Sequence, residues 1–364
     1  METMIELRNI VKSFQGFRAN DDISLTAQKG EIVALLGENG AGKSTLMNIL
    51  FGLYQRDSGS ITIDGREMPM SYSPQQAIES GIAMVHQHLK LVEPFTVAQN
   101  VILGAEKTVS RFFYRNKVCN QKVRALCERY HMNIKPDSVV STLPLGAKQR
   151  VEILKALYRG CRILILDEPT TVLTPQETDA LFALLRQFQK DGMTILIITH
   201  KLHEVMAISD RVMVLRQGKC TACFNTAETS PEELAATMIG RKLVKAQVEA
   251  CGHAADETPS MELVGIRTAP LAEECWLKGL DLRLYAGHIV GLAGVDGNGQ
   301  TALVEVLAGI TKMTDGEIRT RRSVIRKNTT AVMRAQGIRM IPEDRHRQGL
   351  VLPMSTYENI LIGY

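Results

Sequence analysis

With 364 residues, 45% of them apolar and 23% charged, the chain has the composition of globular protein and the length for two cores. Its formal charge of +4 is too small to imply general affinity for nucleic acid, and no stretch reaches the ~20 consecutive apolar residues that cross a bilayer. Seven cysteines without framework spacing argue against a disulfide scaffold, and the start Met1-Glu2-Thr3-Met4-Ile5-Glu6 is no secretory leader, so a cytoplasmic chain is expected.

In chain order, the first informative element is the apolar run Ile32–Leu36, of strand length. It leads into Gly37-Glu38-Asn39-Gly40-Ala41-Gly42-Lys43-Ser44-Thr45, which fits the phosphate-loop pattern G-x-x-x-x-G-K-[ST], and then into a helical segment, Lys43–Gly52. Gly37, Gly40 and Gly42 let the backbone curl so that N–H groups point at phosphate oxygens, and the helix adds its positive N-terminal end. Lys43 is placed to neutralise β- and γ-phosphates, and the Ser44 hydroxyl to hold Mg²⁺.

Further on, Leu143-Pro144-Leu145-Gly146-Ala147-Lys148-Gln149-Arg150 precedes an amphipathic run with Val151, Leu154, Leu157 and Tyr158 at helical spacing. The strand Ile163–Leu166 ends in Asp167-Glu168-Pro169, and carboxylates there are costly unless they face polar work. Asp167 suits a Mg²⁺ shell, and Glu168 suits accepting a proton from, or aligning, an attacking water. A helix over Pro175–Lys190, with Leu181, Leu184, Leu185 and Phe188 on one face, precedes the buried strand Thr194–Ile198. Alternating buried strands and helices imply an α/β sandwich with a parallel sheet covered on both faces. Cys220 and Cys223 form an isolated C-x-x-C, which favours a structural role over metal or redox chemistry. The basic run from Arg319 through Lys327 reads as a solvated surface.

The chain then repeats itself. The loop at 37–45 returns at 294–302 as Gly-Val-Asp-Gly-Asn-Gly-Gln-Thr-Ala, with Gln300 in place of the lysine. Ile5-Glu6-Leu7 returns as Met261-Glu262-Leu263, Gly30–Leu36 as Gly287–Ala293, Gly81–Val85 as Gly337–Ile341, and Asn100–Gly104 as Asn359–Gly363. One fold is therefore expected twice: a complete module over 1–240, a polar linker over 241–260, and the N-terminal part of a second module over 261–364.

The order of phosphate loop, Gln87, Leu143–Arg150, Asp167-Glu168 and His200 resembles the ATP-binding subunits of ABC transporters. The resemblance covers nearly all of 1–240 and, more loosely, 261–364. It implies a P-loop ABC-ATPase fold with a helical subdomain, followed by a partial second copy, with ATP and Mg²⁺ as cofactors. Gln87 then corresponds to the residue that senses the γ-phosphate and attacking water beside the metal, and His200 to the switch histidine at the γ-phosphate. Phe14 sits at the expected position for stacking on adenine, with Phe17 as competitor and a core role as the alternative. Leu143–Gln149 corresponds to the family signature, usually Leu-Ser-Gly-Gly-Gln. Pro144 stands at the serine position and removes a hydroxyl donor, leaving Gly146 and the helix N-terminus to offer N–H groups.

The stretch Glu168-Pro169-Thr170-Thr171-Val172-Leu173-Thr174-Pro175-Gln176-Glu177 resembles the tandem ATPases of simple-sugar and nucleoside importers. Met84–His88, Glu93–Val97 and Ile341–Leu350 resemble the nucleoside subgroup most. Such subunits pair with transmembrane permeases, and through them with a solute-binding protein, at the cytoplasmic face of the membrane. Each ATP lies between one module's phosphate loop and the other's signature helix. Module two reaches neither a signature nor a metal-binding strand, and Gln300 removes a charge-assisted contact of ~1.5–3 kcal/mol. A truncated product or fragment of a longer chain is therefore expected, with 261–364 poorly stable alone and a weak homodimer, pairing module one with its copy, as one route by which hydrolysis is rescued. The alternatives are a hydrolytically weak, nucleotide-binding remnant and an ABC ATPase that serves no transporter.

Overall fold

The computed structural model describes residues 2–87, 89–105, 116–171, 173–240, 258–270, 276–294, 298–321, 323–342 and 348–362. Most of the expected linker lies outside these residues, as do 295–297 of the second loop, 343–347 of the stretch Ile341–Leu350, and single positions such as His88 and Val172. The chain divides into two compact units, Met1–Ala246 and Gln247–Tyr364.

Unit one opens with two long strands, β1 (Thr3–Phe14) and β2 (Phe17–Gln28), then β3 (Ile32–Leu36) and α1 (Lys43–Leu50). β4 (Ser58–Ile63), β5 (Arg66–Glu67), α2 (Pro74–Glu79) and β6 (Ile82–Val85) follow, and then the helices α3 (Val97–Ile102), α4 (Asn116–Arg129) and α5 (Leu145–Tyr158). The chain continues through β7 (Ile163–Asp167), α6 (Pro175–Lys190), β8 (Thr194–Thr199), α7 (Leu202–Ile208), β9 (Arg211–Arg216), β10 (Lys219–Asn225) and α8 (Pro231–Ile239). Local chemistry explains several boundaries. The Thr174 hydroxyl accepts from the N–H of Glu177, whose side chain returns the bond, and Pro175 starts the helix, so α6 begins where the sequence predicts.

Six strands form one sheet in the order β10-β9-β3-β8-β7-β6, parallel from β9 to β6, with β10 antiparallel at the edge. Alternate residues of its central strands face two cores. Val33, Leu35, Ile165, Leu196 and Ile198 pack with α1 residues Leu46, Met47 and Leu50, whereas Ile32, Leu164, Leu166, Ile195 and Ile197 pack with Val151 and Leu154 of α5 and Leu185 and Phe188 of α6. Helices α3, α4 and α5 form the expected helical layer on that second side.

The sequence reading did not foresee a second sheet, antiparallel, in the order β2-β1-β4-β5. Its strands supply Ile5, Leu7, Ile23, Leu25, Ile61 and Ile63 to the first core, so α1 lies between two sheets. Repeated register shifts along the β1–β2 pair break the apolar/polar alternation that would have announced these strands.

Unit two contains β11 (Met261–Thr268), β12 (Lys278–Leu284), α9 (Gln300–Ala308), β13 (Met313–Thr320), β14 (Val324–Ile325), α10 (Thr330–Ala335) and α11 (Thr356–Leu361). Its sheet order, β12-β11-β13-β14, repeats β2-β1-β4-β5, and α9 repeats α1 over a core of Leu263, Ile266, Leu303, Val306 and Ile318. The repetition is broken at the counterpart of β3. Residues 288–294 form no strand, with Ile289 fully exposed at 101%, and Ile341, the counterpart of Val85, is 89% exposed. The physical reason is visible in unit one. There β3 is held by ladders to β8 and β9, and the described residues of unit two contain no strand equivalent to either.

Candidate functional site

The phosphate loop is built by steric exclusion. Gly42 caps α1 with φ +97°, a conformation L side chains rarely adopt, and a Cβ there would collide with the Ala19 carbonyl. A Cβ on Gly37 would strike the Leu215 carbonyl, so the loop lies pressed between β2 and β9. The buried Asn20 donates to the Gly42 carbonyl at 3.0 Å, a support the sequence reading missed because a lone Asn in a strand carries no signal. Gly42→Ala is expected to destabilise unit one by about 1–3 kcal/mol, read as a lower denaturant midpoint.

Lys43 is only 6% exposed, and its Nζ donates to the carbonyls of Gly37 at 2.6 Å and Glu38 at 2.8 Å. Burial lowers its pKa, against the opposing pull of Glu168, Asp167 and Glu38. The next residue, Ser44, donates to Asp167 Oδ1 at 3.3 Å, which ties the start of α1 to the end of β7. Burial raises the Asp167 pKa, and the nearby Glu168 adds to the rise, while Ser44 and Lys43 oppose it.

Glu168 follows β7 in the left-handed region, φ +47°, with its N–H bonded to the Ile198 carbonyl at 3.0 Å. A non-glycine residue there costs about 1–3 kcal/mol and persists only where its surroundings demand it. The demand is a network around the carboxylate. His200 Nδ1 lies 2.9 Å from Oε1, and Gln87 Nε2 donates to Oε2 at 3.3 Å. Thr171 Oγ1 donates to the same oxygen at 3.4 Å. Residues at 44, 87, 167, 168 and 200 thus converge at the C-terminal edge of the parallel sheet, where such folds hold ligands.

A second network behind Glu168 was not read from the sequence. Glu204 on α7 is 1% exposed; it accepts from Thr170 and Thr199 hydroxyls, the latter at 2.9 Å. Lys201 Nζ lies 3.1 Å from Glu204 and donates to the Thr170 carbonyl at 3.1 Å. These bonds clamp the turn after Glu168 to the turn carrying His200. The signal available was a carboxylate beside Val205 on the buried face of α7. Glu204→Ala is expected to cost about 2–3 kcal/mol, because Lys201 and two threonines lose their acceptor; chemical denaturation would measure it.

The signature residues Leu143–Gln149 lead into and open α5. Pro144 occupies the cap position with no side-chain cap bond. Gly146 leaves no room for a side chain, since a Cβ would meet the Glu177 carboxylate and Leu173 Cδ2. Gln149 is buried and donates to the Pro169 carbonyl at 2.5 Å, and Lys148 pairs with Glu93 at 3.0 Å. Leu145, Lys148 and Gln149 share a cavity of about 420 Å³ with Gln87, Asp167 and Glu168. Phe14, at the end of β1, is 39% exposed, which removes it from the core; its ring stands edge-on to Tyr54 at 5.3 Å. Phe17 is more exposed still, at 63%.

In unit two, Gly299 caps α9 with φ +92°, matching Gly42. A Cβ on Gly294 would collide with the Gln300 amide, so Gln300 folds back toward Gly294 much as Lys43 folds back on Gly37.

The ABC transporter family profile matches residues 20–171 and 277–359, more than half of the chain. The chain is 43% identical over 361 residues to the nucleoside import ATP-binding protein NupA of Lactococcus lactis subsp. cremoris, covering 99% of this chain and 71% of that protein. It is 44% identical over 363 residues to the guanosine import ATP-binding protein NupO of Bacillus subtilis, covering 100% of this chain and 70% of that one. Among solved structures, cbiO1 from Clostridium perfringens, part of the transporter complex cbiONQ, superposes with a TM-score of 0.55 at 29% identity. It covers 63% of this chain and 90% of its own.

Proposed function

The chain belongs to the ABC transporter family, and on that premise we propose that it is the ATP-binding and ATP-hydrolysing subunit of an importer for nucleosides. The observation that carries the catalytic part is the Glu168 carboxylate. It stands just after a buried strand, held by His200 and Gln87, and its chain neighbour Asp167 is bonded to Ser44 of the phosphate loop.

In this reading Gly37–Thr45 wraps the phosphates with backbone N–H groups, and Lys43 meets the β- and γ-oxygens. Ser44, Asp167 and the Gln87 amide are hard oxygen donors that suit Mg²⁺, which, when bound, neutralises charge across the two phosphates. Glu168 takes the proton from, or aligns, the attacking water. His200, 2.9 Å from Glu168, orients the carboxylate and meets the γ-phosphate as the loops close. Phe14 stacks on adenine, an assignment its exposure and its place at the tip of β1 support.

No helix among the described residues is long and apolar enough to cross a membrane. In this reading separate permease subunits supply the passage across it. The chain then works at the cytoplasmic membrane face, with the permeases and a solute-binding protein as partners. ATP held by Lys43 also needs a signature helix from a second module, and two copies of unit one can pair to supply it. The specific ATPase activity of the isolated chain should accordingly rise with protein concentration.

Assembled with its permeases in nanodiscs, the protein is expected to hydrolyse ATP faster when a nucleoside-loaded binding protein is added. Stimulation by a ribose-loaded binding protein, with none by nucleoside, would move the assignment to simple sugars. A chain that binds ATP but shows no hydrolysis at any concentration or in the complex would be a nucleotide-binding remnant.

A further inference from the structure

Cys220 and Cys223 lie on β10, outside the nucleotide site. In a regular strand, residues three apart point to opposite faces. Here they do not. Cys220 pairs with Leu215 and Ala222 with Val214, so Thr221 is an extra residue, a β-bulge in the edge strand. The bulge resets the alternation and brings the two sulfurs within 3.8 Å of each other.

The pair is also accessible: Cys223 is exposed and Cys220 half-buried, whereas Cys127 is buried. The Cys220 thiol bonded to Cys223, together with the Arg211 guanidinium, lowers the Cys223 pKa to about 7, while the same bond and burial raise that of Cys220. Elsewhere, burial pushes the Cys161 thiol up to about 12. Among the described residues no cluster of three or more His, Cys, Asp or Glu forms around the pair, so a metal cage is not the use the geometry favours.

We propose that Cys220 and Cys223 form a reversible dithiol–disulfide site that is oxidised by low-molecular-weight disulfides of the glutathione type. The Cys223 thiolate attacks one sulfur of the reagent, forming a mixed disulfide and releasing one thiolate, which takes up the Cys223 proton from solvent. Cys220 then loses its proton and attacks the Cys223 sulfur, forming the internal disulfide and expelling the second thiol. Two protein thiols are oxidised to one disulfide, and one reagent disulfide is reduced to two thiols. The sulfurs close to ~2.05 Å by side-chain rotation across the bulge.

The test incubates the folded full chain in reduced/oxidised glutathione mixtures, quenches with acid, alkylates, and maps peptides by mass. A peptide linked through 220 and 223 is expected to grow with oxidised glutathione and to vanish on dithiothreitol treatment. Cys220→Ser should stop at a glutathione adduct on Cys223, and Cys223→Ser should slow adduct formation on β10 about tenfold or more. The proposal is overturned if no linked peptide forms at any ratio. It also fails if wild-type Cys223 holds its adduct as Cys220→Ser does, or if Cys223 reacts no faster than Cys161.

Discussion

Replacing Glu168 with Gln is expected to cut ATP turnover by about 10²–10⁴-fold while leaving ATP binding unchanged. The substitution keeps size and planarity, so the bonds from Gln87 and Thr171 and the left-handed backbone at Glu168 retain partners. What disappears is the negative charge that attracts a proton or aligns water, and with it the charge-assisted part of the His200 contact. Single-turnover hydrolysis and equilibrium binding of ATP, measured on the same preparation, separate the two effects. Retained turnover would remove Glu168 from the chemistry and return it to a purely structural role at the turn.

Lys43→Ala is expected to act on the other quantity. Each charge-assisted bond to phosphate contributes about 1.5–3 kcal/mol, so losing two raises the Kd for ATP by about 10²-fold or more. The structure makes this larger than for a surface lysine. Lys43 is already desolvated and held at the mouth of the loop by the Gly37 and Glu38 carbonyls, so little ordering remains when nucleotide arrives. Removing it also strips two carbonyls of their donor, which loosens the loop. Titration of a fluorescent ATP analogue against Lys43→Ala and Lys43→Met distinguishes lost charge from lost packing, since methionine preserves the stem. An unchanged Kd in both would show that the backbone N–H groups of Gly37–Thr45 alone hold the phosphates.

Much of this protein is legible in its sequence because local signals coincide. β3 and the interiors of β7 and β8 are apolar, as strands buried on both faces must be, and the phosphate loop carries Gly42 and Gly37 where collisions with Ala19 and Leu215 forbid a side chain. The helix over Pro175–Lys190 announces itself through its cap and proline. By contrast, β1 and β2 are long strands whose register slips, so no clean period marks them. The C-x-x-C pair reads as inert by spacing alone, because only the bulge at Thr221 turns both thiols to one face.

The sequence by itself determined the two-fold repetition and the parallel α/β core, and it marked Gly37–Thr45, Asp167 and Glu168 as candidates for one site. These depend on residue types and short spacings, which physics reads locally. Only the tertiary structure decided that His200 and Gln87 meet on one carboxylate and that Glu204 clamps two turns together. It alone decided, too, that residues 288–294 form no strand although their wording repeats β3. A hydrogen-bond partner from a distant strand, or its absence, is written nowhere in the segment that needs it. That is why two runs that share four of their seven residues, Gly30–Leu36 and Gly287–Ala293, take different structures in one chain.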